Sequence, residues 1–348
     1  MSEKKTANDY ITRFRPELMG LAVLWVLWFH SALSPAIFPW GPVSSGFSFL
    51  KTIGYGGVDI FVFMSGFGIG RSLSCNSTSQ FAKNRLKKIL PIWLSYLAMF
   101  VFMVTCFFHI FPTMTEILGN ITFTGFWLDM NNQGNWYVYM IVLFYLFSPI
   151  LYSLIKDSRS KFRMCLILMG IALLVSFAFF GQYKLIAFSR LPLYIFGMYL
   201  SMDKQKKSVG PGRILVCLMA LLTGTAALYV FYTFYHSLLW TYGLWWYPFI
   251  LITPALTILL SVLFEKIQMK IGTLLWCLRK MGEASLEIIL VSDFFFAYVY
   301  PSRALFFVPK KLRNWLIVIL AVVIAMIFHK VLEACKKALG SLSLKKKK

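Results

Sequence analysis

The sequence predicts an all-α integral membrane protein of about ten transmembrane helices with both termini in the cytoplasm, and three observations carry that prediction. First, the chain of 348 residues is 59% hydrophobic and only 14% charged. A soluble fold has no interior large enough for so many apolar side chains, whereas a bilayer accommodates them. Second, apolar runs long enough to span recur at roughly 17–38, 53–74, 91–112, 135–155, 164–183, 185–202, 214–235, 240–264, 284–302 and 313–333. Third, basic residues alternate from link to link. With the N-terminus inside, the outer set is only Lys51, Lys184, Arg190, Arg303, Lys310, Lys311 and Arg313, and the rest of the 35 Lys and Arg residues are cytoplasmic. This is the positive-inside pattern.

The same distribution disposes of the net charge of +22 as a nucleic-acid signal. The excess reads as topology and as attraction to anionic lipid headgroups. An outer-membrane barrel would show shorter alternating segments, and these runs are unbroken. The expected organisation is a cytoplasmic N-terminal segment (1–16), a transmembrane domain (17–333) and a basic cytoplasmic tail (334–348). The expected location is the plasma (inner) membrane, crossed many times. Residues 13–36 compete for a second reading as a cleaved signal peptide, since SALSPA has the small residues of a cleavage site. Removing them would break the charge alternation, so they are taken as the first span. The six cysteines are scattered without a CxxC pair, which implies neither a disulfide framework nor a metal site.

In chain order, the first span LMGLAVLWVLWF ends in His30. From Arg15, His30 lies about 22 Å along a helix, toward the far side of a core about 30 Å thick. The second span returns through GYGGVDIFVFMSGFGIG and carries Asp59 near its start, at similar depth. Ionisable groups inside apolar spans are costly and mark functional sites by default, so His30 and Asp59 are expected to meet. Gly66 and Gly70 form a GxxxG around Gly68, which either packs a neighbouring helix or leaves room for a ligand.

The basic link CNSTSQFAKNRLKKILP follows, with Pro91 suited to open the third span. Arg85, Lys87 and Lys88 read either as topogenic charge or as a clamp for the phosphates of a cytosolic anion. The long outer link 113–134 holds Trp127, Glu116, Asp129 and the sequon Asn120-Ile121-Thr122. Its aromatics and amides suit sugar binding, and an interfacial aromatic belt explains Trp127 and Trp136 equally well. Trp240, Trp245 and Trp246 read as the same belt. Arg190 falls well inside a span, as a snorkelling cation or as a counter-ion. His109, His236 and His329 sit at span ends and read as interfacial. The link 265–283 is a basic amphipathic stretch suited to the inner membrane surface. Glu283, Glu287 and Asp293 then enter the ninth span and need partners that the sequence does not name.

Six segments in order resemble the acyltransferase-3 family of integral membrane acyltransferases. RPELMGLAVLWVLWFH matches the family's first helix, with His30 at its histidine. GVDIFVFMSGF matches the second signature at Asp59, Ser65 and Gly66, and RLKKILP matches the basic run, with Arg85 and Lys88 at its basic positions. NWYVYMIVLFYLFSPIL, RLPLYIFGM and MGEASLEIIL resemble the later segments. There are three departures: the family's arginine in the first helix is Met19 here, Lys88 replaces an arginine, and Ser292 stands where many relatives have a second histidine. Arg15 lies one turn before Met19 on the same face.

The resemblance implies transfer of an acyl group, commonly acetyl, from a cytosolic acyl-CoA such as acetyl-CoA to a hydroxyl of an extracytoplasmic polysaccharide, without a metal. It implies His30 as general base and Asp59 as the carboxylate that orients it. Arg85 and Lys88, with Arg71, would hold the CoA phosphates. Arg15, Trp136 and Arg190 are candidates for the substrate path. The expected partners are acyl-CoA, the glycan acceptor and the bilayer, and no nucleic acid. Two rivals remain at this point: a glycan exporter or flippase that uses the same polar residues, and a catalytically degenerate membrane protein of the same fold.

Overall fold

The computed structural model describes residues 5–33, 41–129, 136–202, 208–301 and 307–345. Lys4, Lys204, Lys206, Lys207, Arg303 and residues 346–348, all counted in the charge alternation, lie outside the described residues. So do residues 34–38 of the first expected span and 130–134 of the long outer link. Among the described residues the regular elements are helices, with one isolated bridge between Thr6 and Ser208. This suits lipid, because a helix satisfies its backbone polar groups within itself.

The helices are α1 (Ala7–Arg13), α2 (Arg15–His30), α3 (Gly41–Thr52), α4 (Gly56–Cys75), α5 (Thr78–Phe108), α6 (Met114–Ile121), α7 (Trp136–Asp157) and α8 (Lys161–Phe177). After these come α9 (Leu185–Phe188), α10 (Leu191–Met202), α11 (Pro211–Phe234), α12 (Phe249–Ile267), α13 (Gly272–Glu283), α14 (Ser285–Phe294) and α15 (Lys310–Lys345). Among the described residues seven stretches are long and apolar enough to cross a membrane: α4, α5, α7, Leu185–Met202, α11, α12 and Lys310–Ala338. The other three expected spans correspond to shorter helices. They are α2 with 16 residues, α8 with 17, and α14 with 10 followed by a five-residue π-helical turn, Phe295–Val299.

One expectation is corrected. Pro91 does not open a helix; it lies inside α5, which starts at Thr78 and runs for 31 residues. The basic segment before it is already helical, and proline removes only the bond to the Lys87 carbonyl.

Contacts divide the chain into two compact units. The first comprises Met1–Ala22, Tyr55–Lys83 and Trp136–Gly282. Its inner helices are α4 and α10, where 67% of each apolar window is buried against 11% for α11, which therefore presents most of its surface outward. A Cβ at Gly66 would overlap the Tyr194 carbonyl, one at Gly197 the Phe63 carbonyl, and one at Gly70 the Ser201 hydroxyl. The GxxxG therefore resolves as packing, with glycine letting two backbones touch. The contacts advance in the same direction along both helices, so α4 and α10 are parallel. This is what the charge alternation requires of the second and sixth spans. The start of α12 lies at the same level, since Gly56 faces the Phe249 ring.

Elsewhere in this unit, Lys5 and Arg13 both reach Glu265, at 2.6 and 2.8 Å. The first turns of α2 pack on α13. Gly20 and Gly282 have no space for a methyl, and buried Glu17 accepts from Arg279 Nε at 2.9 Å.

The second unit comprises Val23–Gly54, Asn84–Asn135 and Glu283–Lys348. Its core is aromatic. Trp93 stacks on Phe123 and donates to the Asn120 carbonyl at 3.0 Å, while Phe294, Phe100 and Tyr298 meet edge to face or stacked. Lys51 Nζ donates to the Ser31 and Leu33 carbonyls at 2.9 and 2.6 Å, just past the end of α2. Asn120 is buried and its amide donates to the Glu116 carbonyl at 2.7 Å, so the sequon is a packed helix residue.

Candidate active site

In the first unit, α4 begins with Gly56 and Gly57, and Asp59 sits in its first turn. A carboxylate there is favoured by the helix dipole. Arg190 immediately precedes α10, whose Pro192 is tolerated because first-turn N–H groups have no helical partner. Parallel packing of α4 on α10 brings these two ends together. Arg190 Nε lies 3.3 Å from Asp59 Oδ1, and both side chains are 1% exposed. Arg190 Nη1 also donates to the Ile186 carbonyl at 2.6 Å. The guanidinium lies between two indoles, with its carbon 5.1 Å from the Trp136 ring centre and 5.3 Å from that of Trp246. Such desolvated cation–π contacts strengthen the site. Asp59 Oδ2 is buried without a hydrogen-bond partner among the described residues.

This arrangement decides between the two sequence readings of Arg190. A snorkelling side chain keeps its head in water, and this one is enclosed, so it is a counter-ion. It also corrects the reading of Trp245 and Trp246, which are 7% and 3% exposed and belong to the core rather than to an interfacial belt. Trp240, at 58%, remains on the surface. Tyr55 completes the wall by donating its hydroxyl to the Trp245 carbonyl at 3.0 Å.

A second polar cluster in the same unit surrounds Arg15. Its Nη2 donates to the Met64 carbonyl at 3.3 Å, and a Cβ on Gly68 would stand 2.8 Å from that nitrogen. Gly68 thus makes room for a guanidinium, whereas its neighbours Gly66 and Gly70 make room for a helix. Ser65 and Tyr137 hydrogen-bond nearby. Arg71, near the C-terminal end of α4, donates to the Thr12 hydroxyl.

His30 belongs to the second unit as the last residue of α2. Its ring meets Phe29 edge-on at 4.8 Å and stacks at 6.3 Å on Phe296. Phe296 lies in the π-helical turn, a distortion often found at functional sites. Arg85 and Lys88 lie in this unit too, one turn apart along α5, with Arg85 half-buried and Lys88 exposed.

Sequence reasoning missed one pair. His329 Nδ1 lies 2.9 Å from Glu287 Oε1, and the Glu287 side chain is 3% exposed. His329 is therefore the partner that Glu287 needs, not an interfacial histidine. The signal was present as two ionisable groups in two apolar runs, but nothing in the sequence joined them. Glu283 is exposed and Asp293 is half-buried.

Seven membrane-length helices among the described residues, with an enclosed arginine–aspartate pair in the first unit, define a multi-pass membrane protein. The chain belongs to the acyltransferase-3 family: the family model for this acyltransferase domain matches residues 18–329. That range contains His30, Asp59, Arg71, Arg85, Lys88, Trp136 and Arg190, while Arg15 precedes it. No curated protein and no solved structure shows significant similarity to the chain. Membership makes it a membrane acyltransferase.

Proposed function

We propose that this acyltransferase moves an acyl group, acetyl in the simplest case, from cytosolic acyl-CoA to a hydroxyl of an extracytoplasmic polysaccharide at the plasma membrane. The observation that supports this best is the enclosed Asp59–Arg190 pair within the span of the family match. An ion pair deep in an apolar chain is costly to keep unless it serves a purpose.

In this reading His30 is the general base. It takes the proton from the acceptor hydroxyl as the oxygen attacks the thioester carbonyl. The tetrahedral intermediate collapses by breaking the carbon–sulfur bond, and the CoA thiolate leaves and recovers a proton. Asp59, held by Arg190, is the second catalytic residue of this reading. Arg85 and Lys88, helped by Arg71, bind the CoA phosphates, since such groups suit phosphate oxygens. No metal takes part.

The test is glycan O-acyl content, by mass spectrometry, in cells lacking the protein and complemented with wild type, His30→Ala or Asp59→Asn. Restoration by wild type alone is expected. Full restoration by His30→Ala would overturn the mechanism. Unchanged acylation with lost export would favour the exporter reading.

A further inference from the structure

The loops before α9 and before α12 line an open cleft of about 300 Å³, at the small end of ligand sites. We propose that this cleft holds a neutral saccharide unit of the acceptor, its ring stacked on tryptophan and its hydroxyls met by Gln182 and Thr241. The proposal rests on the glycan reading above and names the place where the acceptor is recognised.

Four observations carry it. The first is the wall. Trp240 and Trp246 both line the cleft and meet edge to face at 5.4 Å, and Tyr183 lines it too. An aromatic face offers a broad apolar surface to the C–H face of a sugar ring. The second is the polar edge. Gln182 and Thr241 line the cleft, and Gln182 Nε2 donates to the Ala178 carbonyl at 3.4 Å, which leaves its amide oxygen as an acceptor. An acyl chain has no use for an amide and a hydroxyl, whereas a sugar hydroxyl does.

The third is charge. No lining side chain is ionisable as an acid or a base apart from the Tyr183 phenol. A phosphate or CoA head would find no cation there, because Arg190 lies behind the Trp246 ring and is matched by Asp59. The fourth is preorganisation. Gly181 adopts φ +75, a Cβ there would meet nothing within 4 Å, and its N–H donates to the Thr241 carbonyl at 2.8 Å. That bond ties the two loops together at the cleft. The cleft also adjoins the buried pair, since Ile186 lines it and accepts from Arg190. By the charge alternation both loops are on the outer side, where an extracytoplasmic acceptor arrives.

The experiment uses the full chain in detergent micelles. The probe is neutral oligosaccharide released by mild acid from the surface polysaccharide of the producing cell. Binding is read by calorimetry for wild type, Trp240→Ala, Trp240→Phe, Gln182→Ala and, as a control, Trp315→Ala at an exposed position of α15. Saturable binding is expected, weakened about tenfold by Trp240→Ala, less by Trp240→Phe, and unchanged by Trp315→Ala. Acyl-CoA affinity should be the same in all of them. Equal saccharide binding by wild type and Trp240→Ala would overturn the proposal, as would binding that does not saturate. Saccharide binding without acyl transfer would instead refute the glycan acyltransferase reading and leave the cleft standing. Acyl transfer with an acceptor KM indifferent to Trp240→Ala would do the reverse.

Discussion

Asp59 and Arg190 are joined at 3.3 Å with each side chain only 1% exposed, and two tryptophan rings close over the guanidinium. Removing one partner leaves the other charged and buried. Arg190→Ala is expected to cost about 3–5 kcal/mol, while the neutral double variant Asp59→Asn/Arg190→Gln should lose less than the sum of its single changes. Thermal unfolding in micelles gives the stabilities. Fully additive losses would show that the two residues do not depend on each other.

Gly66 and Gly68 of α4 should separate by what each one faces. Gly66→Ala meets a backbone carbonyl that cannot move away, whereas Gly68→Ala meets the end of the Arg15 side chain. Gly66→Ala and Gly197→Ala should each lose about 1–3 kcal/mol, and Gly170→Ala, with open space around it, should be neutral or better. Equal losses at positions 66 and 170 would refute the close contact of α4 with α10.

Glu287 depends on His329 for its polar partner. His329→Leu strands a buried carboxyl and should destabilise by about 1–3 kcal/mol, whereas His329→Gln keeps a donor and should recover most of that. Unfolding midpoints of the two variants, compared at one detergent concentration, decide the matter. Similar midpoints for Leu and Gln would mean that the hydrogen bond contributes nothing.

The amino-terminal helix gives a pH prediction outside the membrane. Hydrogen bonds from Thr6 hold the Asp9 carboxyl below its usual range, in a capping box at the start of α1. A carboxyl lowered by folding adds stability above its unfolded pKa and loses it as the pH falls through the folded value. Amide exchange in α1 should therefore accelerate below about pH 4, and Thr6→Ala should abolish that step while costing about 1 kcal/mol at neutral pH. Exchange with no pH step in wild type would refute it.

If Arg85 and Lys88 bind the phosphates of the donor, their loss should appear in binding rather than in turnover. Arg85→Ala or Lys88→Ala should raise the KM for acyl-CoA about tenfold with kcat kept, and added salt should weaken donor binding less in the variants than in wild type. A fall in kcat at unchanged KM would place these residues elsewhere in the cycle.

The sequence by itself determined the helical membrane class, seven of the ten expected spans and the family. Hydropathy over a span-length window and the sign of each link are local quantities, so they survive without knowledge of neighbours. It also singled out Asp59 as a candidate site residue, because an acid in an apolar run is conspicuous on its own. Only the tertiary structure decided which group Asp59 faces. Arg190 is far away in the chain, and its approach depends on glycines at positions 66 and 197 letting two parallel helices touch. The same holds for Glu287 with His329, and for the burial of Trp245 and Trp246 while Trp240 stays exposed. Each of these depends on which backbone lies opposite, a property of packing that no window along the chain contains.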